Sequence, residues 1–151
     1  VNIEIKQNDL GVTQEILNTI HLYIQKFNWK RSHFKLSSFH PEVVEYLSYA
    51  APQIRRGIIF GCQKYGEHEY DPVWVQKTKP QVVSISHESR DVFEIIKDIK
   101  KRQLVAGVYT VKDLKEFIDL TSAGAEIIFT DVADLLYFHS KNWIRSRYRM
   151  N

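Results

Sequence analysis

The chain has 151 residues, of which 44% are hydrophobic, and its formal net charge is +3. This length and composition fit one globular domain over residues 1–151 with a sizeable core. The charge is too small to indicate a nucleic-acid partner, and no stretch approaches the roughly 20 apolar residues of a transmembrane segment. The single cysteine, Cys62, excludes an internal disulfide and favours a reducing compartment, so we expect a cytoplasmic protein.

The opening strand carries an acid and a base at strand spacing. Side chains alternate between the faces of a strand, so Ile3 and Ile5 point one way while Glu4 and Lys6 point the other. Burying either charge without a partner would cost several kcal/mol. The pattern is typical either of a half-exposed edge strand with two solvated charges or of a site that pairs them with a ligand.

Strand and helix patterns alternate along the rest of the chain. After the first strand, Gly11 breaks the chain and Thr13 caps a helix. The later predicted strands are residues 34–39, 57–61, 82–86, 104–110 and 125–130. The later predicted helices begin at Pro41, near residues 71–74, at residue 92, at residue 114 and after the cap Asp131, with Gly124 ending the one that begins at residue 114.

This alternation predicts an α/β fold with parallel strands in sequential order and helices outside. No Gly-rich phosphate loop follows the first strand, which disfavours a doubly wound nucleotide-binding sheet. We therefore expect an incomplete TIM-type (β/α) barrel with about six of its eight units, its first and last strands flanking a gap. Unpaired edges at such a gap favour self-association.

Working residues of a barrel project from the ends of its strands. The candidates are Glu4, Lys6, Ser38, Phe39, Ser86, His87, Tyr109 and Asp131. His87 is either catalytic or, more commonly at such a position, a solvated loop histidine, and we expect His40 to cap a helix. Cys62 is more typical of a small buried hydrophobic residue than of a nucleophile.

Four segments in order resemble the motifs of the glycerophosphodiester phosphodiesterase family. They are Asn2-Ile3-Glu4-Ile5-Lys6, Ser37-Ser38-Phe39, Tyr109-Thr110-Val111 with Asp113, and residues 124–131, Gly-Ala-Glu-Ile-Ile-Phe-Thr-Asp. The similarity extends from residue 1 to about Leu136. It implies an eight-stranded barrel and metal-dependent hydrolysis of a glycerophosphodiester substrate to an alcohol and glycerol phosphate, hence a role in lipid metabolism.

The resemblance implies roles for three residues. Glu4 corresponds to a carboxylate ligand of a divalent cation, Mg²⁺ or Ca²⁺, and Lys6 to a basic residue near the phosphate. Tyr109 stands where the family commonly has a tryptophan lining the substrate pocket. A hard cation and a lysine on one face would neutralise the charge that develops on a phosphodiester under attack.

The family's acid/base histidines and other ligands belong to strands before this segment. They lie in His-Arg-Gly, Pro-Glu-Asn, Glu-x-Asp and His-Asp motifs, and none stands at a matching position here. The catalytic acid and base thus remain unassigned, and we expect a missing N-terminal segment, supplied by the parent protein or by another chain, without which residues 1–151 are inactive. The alternative is a noncatalytic barrel remnant that binds a phosphate-bearing ligand or a protein partner.

The tail, residues 140–151, mixes basic and aromatic residues. Such a mixture fits contact with anionic headgroups, but cations at the end of a last helix are more simply explained by the helix dipole.

Overall fold

The computed structural model describes residues 1–62, 68–134 and 136. Six strands form one sheet, and every neighbouring pair is parallel. In sequential order they are β1 (Asn2–Ile5), β2 (Lys35–Ser38), β3 (Arg55–Phe60), β4 (Val82–Ser86), β5 (Val105–Tyr109) and β6 (Ile127–Ile128). The helices between them are α1 (Leu10–Phe27), α2 (Pro41–Ala50), α3 (Pro72–Thr78), α4 (Val92–Lys101) and α5 (Leu114–Ala123), and a 3₁₀ turn, Arg31–His33, precedes β2.

The sheet curls into a half barrel. Lys35 in β2 lies with its Nζ 5.1 Å from the ring centre of Phe129, which follows β6. In a flat sheet, β2 and β6 would stand far apart, because neighbouring strands are about 4.8 Å apart. The predicted incomplete barrel of parallel strands is therefore confirmed, with β1 and β6 as the two edges of the sheet.

Strand alternation divides the sheet into an apolar outer face and a more polar inner face. The outer face packs on the helices in two clusters, one around Ile5, Leu36 and Val43 and the other around Ile58 and Ile85. These side chains are essentially inaccessible to solvent, and such burial stabilises the fold by about 25 cal/mol per Å² of apolar area. The inner face is thereby free to carry a site.

Three local predictions were wrong. The first helix begins at Leu10, with Asp9 as its cap, since Asp9 Oδ1 accepts hydrogen bonds from the backbone N–H groups of Gly11 and Val12. Thr13 is instead buried inside that helix and donates to the Asp9 carbonyl at 2.8 Å, and Gly11 lies in its first turn. The last strand was predicted to span residues 125–130, but the strand is only Ile127–Ile128. The backbone N–H groups of Glu126 and Phe129 on either side of it donate to the Ala106 and Val108 carbonyls of β5.

The short helix predicted near residues 71–74 is confirmed as α3, and Gly124 ends α5 with φ of 114°, a conformation that favours glycine. The cationic tail and most of the helix predicted after Asp131 lie outside the described residues. Within the described part, no helix combines the length and hydrophobicity that crossing a membrane requires.

Candidate functional site

The inner face of the half barrel forms a cleft of about 220 Å³. Every strand contributes to its wall, either directly or through a residue just beyond its end. The lining residues are Asn2, Glu4, Ser37, Phe39, Ile59, Ser84, Tyr109, Thr110 and Phe129. Hydroxyl, amide and carboxylate groups thus alternate with aromatic rings on a single concave surface.

Glu4 lies in this cleft, and Lys6 does not line it. Because Ile5 is buried in the outer core, the preceding Glu4 points to the inner face, as its place among the lining residues shows. Lys6 follows the last residue of β1 and is exposed. Its carbonyl accepts a hydrogen bond from His40 Nε2 at 3.1 Å, which joins the end of β1 to the start of α2.

Tyr109 forms part of the cleft wall. Its hydroxyl donates to the Phe60 carbonyl at 2.8 Å, and its ring meets Phe39 edge-on, with ring centres 6.1 Å apart. These contacts fix the ring across the ends of β3 and β5. The aromatic side chain that the sequence predicts at Tyr109 therefore lines the cleft, and Phe39 lies beside it on the same wall.

Ser38 has a structural role. Its buried hydroxyl donates to the Ile5 carbonyl at 2.7 Å and accepts from the His40 backbone N–H at 3.1 Å. His40 occupies the N-cap position of α2, as predicted. Its side chain makes no cap hydrogen bond, because its ring binds the Lys6 carbonyl instead.

A second hollow of about 370 Å³ adjoins the cleft through their shared residues Tyr109 and Thr110. The remaining residues that line it are Ser86, His87, Glu88, Lys112 and Asp131. Three of the predicted site residues, Ser86, His87 and Asp131, thus come together here rather than beside Glu4. The mouth of the half barrel, where the strands end, therefore has two parts. The cleft is acidic and aromatic, and the second hollow carries side chains of both charges.

His87 is not the solvated loop histidine that the sequence favours. Its Nδ1 is paired with Glu116 Oε1 in the first turn of α5. Glu116 Oε2 also accepts from the Lys112 backbone N–H at 3.2 Å. Sequence analysis missed Glu116, since its spacing after the cap Asp113 signals only the start of a helix and gives no hint of a distant histidine.

Lys35 supplies a cation near the floor of the cleft. The residue is half-buried, and burial, followed by repulsion from Arg55, lowers the pKa of its ammonium below the usual value. Its Nζ lies over Phe129, a cleft residue. A cation over an aromatic face is stabilised by the quadrupole of the ring, so Lys35 and Phe129 help to close the curl of the sheet.

The donor set of the described residues does not by itself fit a divalent cation. Hard cations take about six or more oxygen ligands and favour carboxylates. Glu4 is the one carboxylate among the residues that line the cleft, and nowhere in the described ranges do three His, Cys, Asp or Glu side chains assemble as a metal centre would need.

One Glu-x-Asp sequence, Glu69-Tyr70-Asp71, occurs in the chain, but it contributes no residue to the lining of the cleft. The Asp71 side chain caps α3. Tyr70 packs against Phe60 and donates to Asp98 Oδ2 at 2.5 Å. Tyr70 therefore lies on the helix side of the sheet, so residues 69–71 have a structural role.

Solved structures with the same fold come from several organisms. A glycerophosphodiester phosphodiesterase from Parabacteroides distasonis matches with a TM-score of 0.72 and 15% identity over 97% of this chain and 58% of that chain. The enzyme of that name from Thermotoga maritima matches with a TM-score of 0.63 and 17% identity over 92% and 56%. An Oleispira antarctica phosphodiesterase in complex with the product sn-glycerol-3-phosphate matches with a TM-score of 0.67 and 18% identity over 90% and 53%.

The similarity shows that the chain shares the fold of these three proteins. The chain spans somewhat more than half the length of each of them. The sequence profile of the glycerophosphoryl diester phosphodiesterase family matches residues 1–135. The chain belongs to that family. None of the curated proteins compared with the chain matches it.

Proposed function

We propose that residues 1–151 form the larger part of a phosphodiesterase barrel that hydrolyses glycerophosphodiesters to an alcohol and glycerol phosphate. Family membership supports the reaction class. The observation that carries the proposal is that Glu4 in β1 and Tyr109 at the end of β5, 105 residues apart in sequence, line one cleft. The glycerol phosphate bound to the Oleispira antarctica phosphodiesterase is consistent with this substrate class.

In this proposal Glu4 is one ligand of a Mg²⁺ or Ca²⁺ ion, and the other ligands come from residues that the structure does not describe or from outside residues 1–151. Such a cation would neutralise charge on the phosphoryl oxygens. Lys6, at the end of the same strand, binds the phosphate, and Tyr109 packs against the substrate. The acid and base that move protons lie outside the described residues as well.

A noncatalytic role is the second candidate, and one observation favours it. Within the described residues, Glu4 is the single carboxylate that lines the cleft, and no cluster of metal ligands assembles. A remnant of this kind would still bind a phosphate-bearing ligand or a protein partner through Lys6 and its neighbours at the end of β1. It would bind sn-glycerol-3-phosphate without turning over a diester.

The two candidates are separated by assaying glycerophosphocholine and glycerophosphoethanolamine with Mg²⁺ or Ca²⁺. We expect negligible turnover by residues 1–151 alone, because losing general acid/base catalysis removes about 10²–10⁴-fold in rate. We expect metal-dependent turnover once the remaining strands are supplied, by the parent protein or by coexpression of the missing segment. Absence of turnover there, with retained binding of sn-glycerol-3-phosphate, would establish the noncatalytic candidate.

A further inference from the structure

Three aromatic side chains form an exposed cluster at the end of α1 and in the loop before β2. Tyr23 is 46% exposed, Phe27 52% and Trp29 36%. The ring of Tyr23 lies 5.2 Å from that of Phe27 and 5.9 Å from that of Trp29, measured between centres. The ring of Tyr23 thus packs against Phe27 at a tilted angle and against Trp29 nearly edge-on, while all three rings keep much of their area in water. A contiguous exposed apolar patch of this kind commonly marks an interaction site.

The same segment is strongly cationic. Lys26, Lys30 and Arg31 are exposed, and none forms an ion pair with another described residue. Lys26 Nζ lies 5.4 Å from the centre of the Phe27 ring. The sequence contains no aspartate or glutamate between Glu15 and Glu42, so no acid within this stretch neutralises the three cations.

We propose that this basic aromatic patch, Tyr23, Lys26, Phe27, Trp29, Lys30 and Arg31, docks the protein on an anionic phospholipid surface. Tyrosine and tryptophan rings favour the depth of lipid headgroups, where one end of the ring is apolar and the other is hydrated. Lysine and arginine near the surface add attraction to acidic lipids. The proposal is independent of the proposed hydrolytic activity.

The position of the patch leaves the cleft accessible. Trp29 contacts Phe34, whose ring centre is 5.4 Å away and which immediately precedes β2. The patch therefore lies where strands begin, whereas Lys6, Phe39 and the second hollow lie where strands end. A protein docked through the patch would hold the mouth of the half barrel toward water.

Charge argues for lipid over a second copy of the chain as the occupant. Two patches brought face to face would oppose six uncompensated cations, and like charges in contact repel. An anionic membrane compensates these charges and buries the rings in one step. A second copy is nevertheless an outcome that the experiment below detects.

The test is cosedimentation of the chain with vesicles of phosphatidylcholine, alone or with equal parts phosphatidylglycerol. We expect binding to the acidic vesicles, little binding to the neutral ones, and loss of most binding in about 1 M NaCl, where the Debye length is about 3 Å. The triple variant Lys26→Gln, Lys30→Gln, Arg31→Gln should bind the acidic vesicles about 100-fold more weakly. The matched control Arg90→Gln, Lys97→Gln, Lys115→Gln removes three exposed cations elsewhere and should bind like wild type.

A second measurement locates the contact. Brominated acyl chains should quench the tryptophan fluorescence of the bound protein, and Trp29→Phe should remove most of that quenching. Equal binding to neutral vesicles, equal loss in the control variant, or quenching unchanged by Trp29→Phe would overturn the proposal. So would self-association that Lys26, Lys30 and Arg31 control without any vesicle binding.

Discussion

His87 and Glu116, 29 residues apart in sequence, join the end of β4 to the first turn of α5 through a hydrogen bond between imidazole and carboxylate. Their side chains are 18% and 24% exposed. The pair stands between the second hollow and the helix layer, so it ties the mouth of the half barrel to a helix whose own start depends on Asp113 and Glu116. One carboxylate therefore serves both the local helix and a distant strand.

Replacing Glu116 should test this link. Glu116→Ala leaves the imidazole and the Lys112 N–H without their acceptor, and we expect it to lower the free energy of unfolding by about 1–2 kcal/mol. Glu116→Gln keeps an acceptor and should cost less. Urea unfolding measures both, with Glu94→Ala, an exposed acid in the first turn of α4, as control at about 0.5 kcal/mol or less. Equal values for Glu116→Ala and Glu94→Ala would contradict the link.

Sequence patterns predicted the fold well because it follows from local periodicity. Val82–Ser86 was predicted with its observed bounds. Glu4 was predicted to face away from Ile5, because neighbouring side chains of a strand must point to opposite faces of the sheet. The pairing of His87 with Glu116 was not predicted, since it depends on how two separate units pack. The last strand was predicted to be longer than it is, because apolar and β-branched composition indicates a strand but does not determine its ends. Glu126 and Phe129 still donate backbone hydrogen bonds to the Ala106 and Val108 carbonyls of β5, although only Ile127–Ile128 have strand structure.

Lowering the pH should weaken the hydrogen bonds that Asp98, near the end of α4, accepts from Arg102 and Tyr70. Hydrogen bonds from Arg102, at 2.8 Å, and then Tyr70 hold the pKa of the Asp98 carboxyl below its usual value. A carboxyl whose pKa is lower in the folded state stabilises the fold above its unfolded pKa of about 3.9, and loses that contribution as the pH falls through the folded value. Asp98→Asn should therefore cost about 0.5–1 kcal/mol at neutral pH.

The difference between wild type and Asp98→Asn should shrink as the pH falls below about 4, as measured by urea unfolding at several pH values. Asp119→Asn, which removes an exposed partner of Lys115, is the control and should show a smaller difference throughout. A difference for Asp98→Asn that grows toward low pH would be inconsistent with the lowered pKa.

Gly107 permits close packing inside the half barrel. A β-carbon placed there would lie 2.8 Å from Ser84 Oγ and 3.4 Å from the Phe129 ring. Gly107→Ala should therefore lower the free energy of unfolding by about 1 kcal/mol, at the lower end of overpacking costs. Ser84→Ala should relieve part of this loss, so the double variant should be more stable than the sum of the single effects predicts. Strictly additive values in thermal or urea unfolding would show that the hydroxyl is not the obstacle.

Substitutions of Glu4 and Lys6 should have different kinetic effects in the complete enzyme that we propose. Glu4→Gln keeps size but removes a charge from the cleft, so we expect weaker metal binding, and excess Mg²⁺ or Ca²⁺ should partly restore the rate. Lys6→Met should leave the metal requirement nearly intact and reduce transition-state stabilisation by about 2–4 kcal/mol, as for loss of one preorganised electrostatic donor. Rate is measured against metal concentration for each variant.

Glu94→Gln and Lys97→Met are matched controls on the exposed face of α4, 71% and 62% exposed, and both should follow the wild-type curve. If Glu4 and Lys6 were only solvated edge-strand charges, their substitutions would change stability by no more than about 0.5 kcal/mol and leave the kinetics unchanged. Wild-type curves for both variants would therefore remove these residues from the active site. A metal shift for Glu4→Gln alone would retain the cation site but assign phosphate binding to a residue other than Lys6.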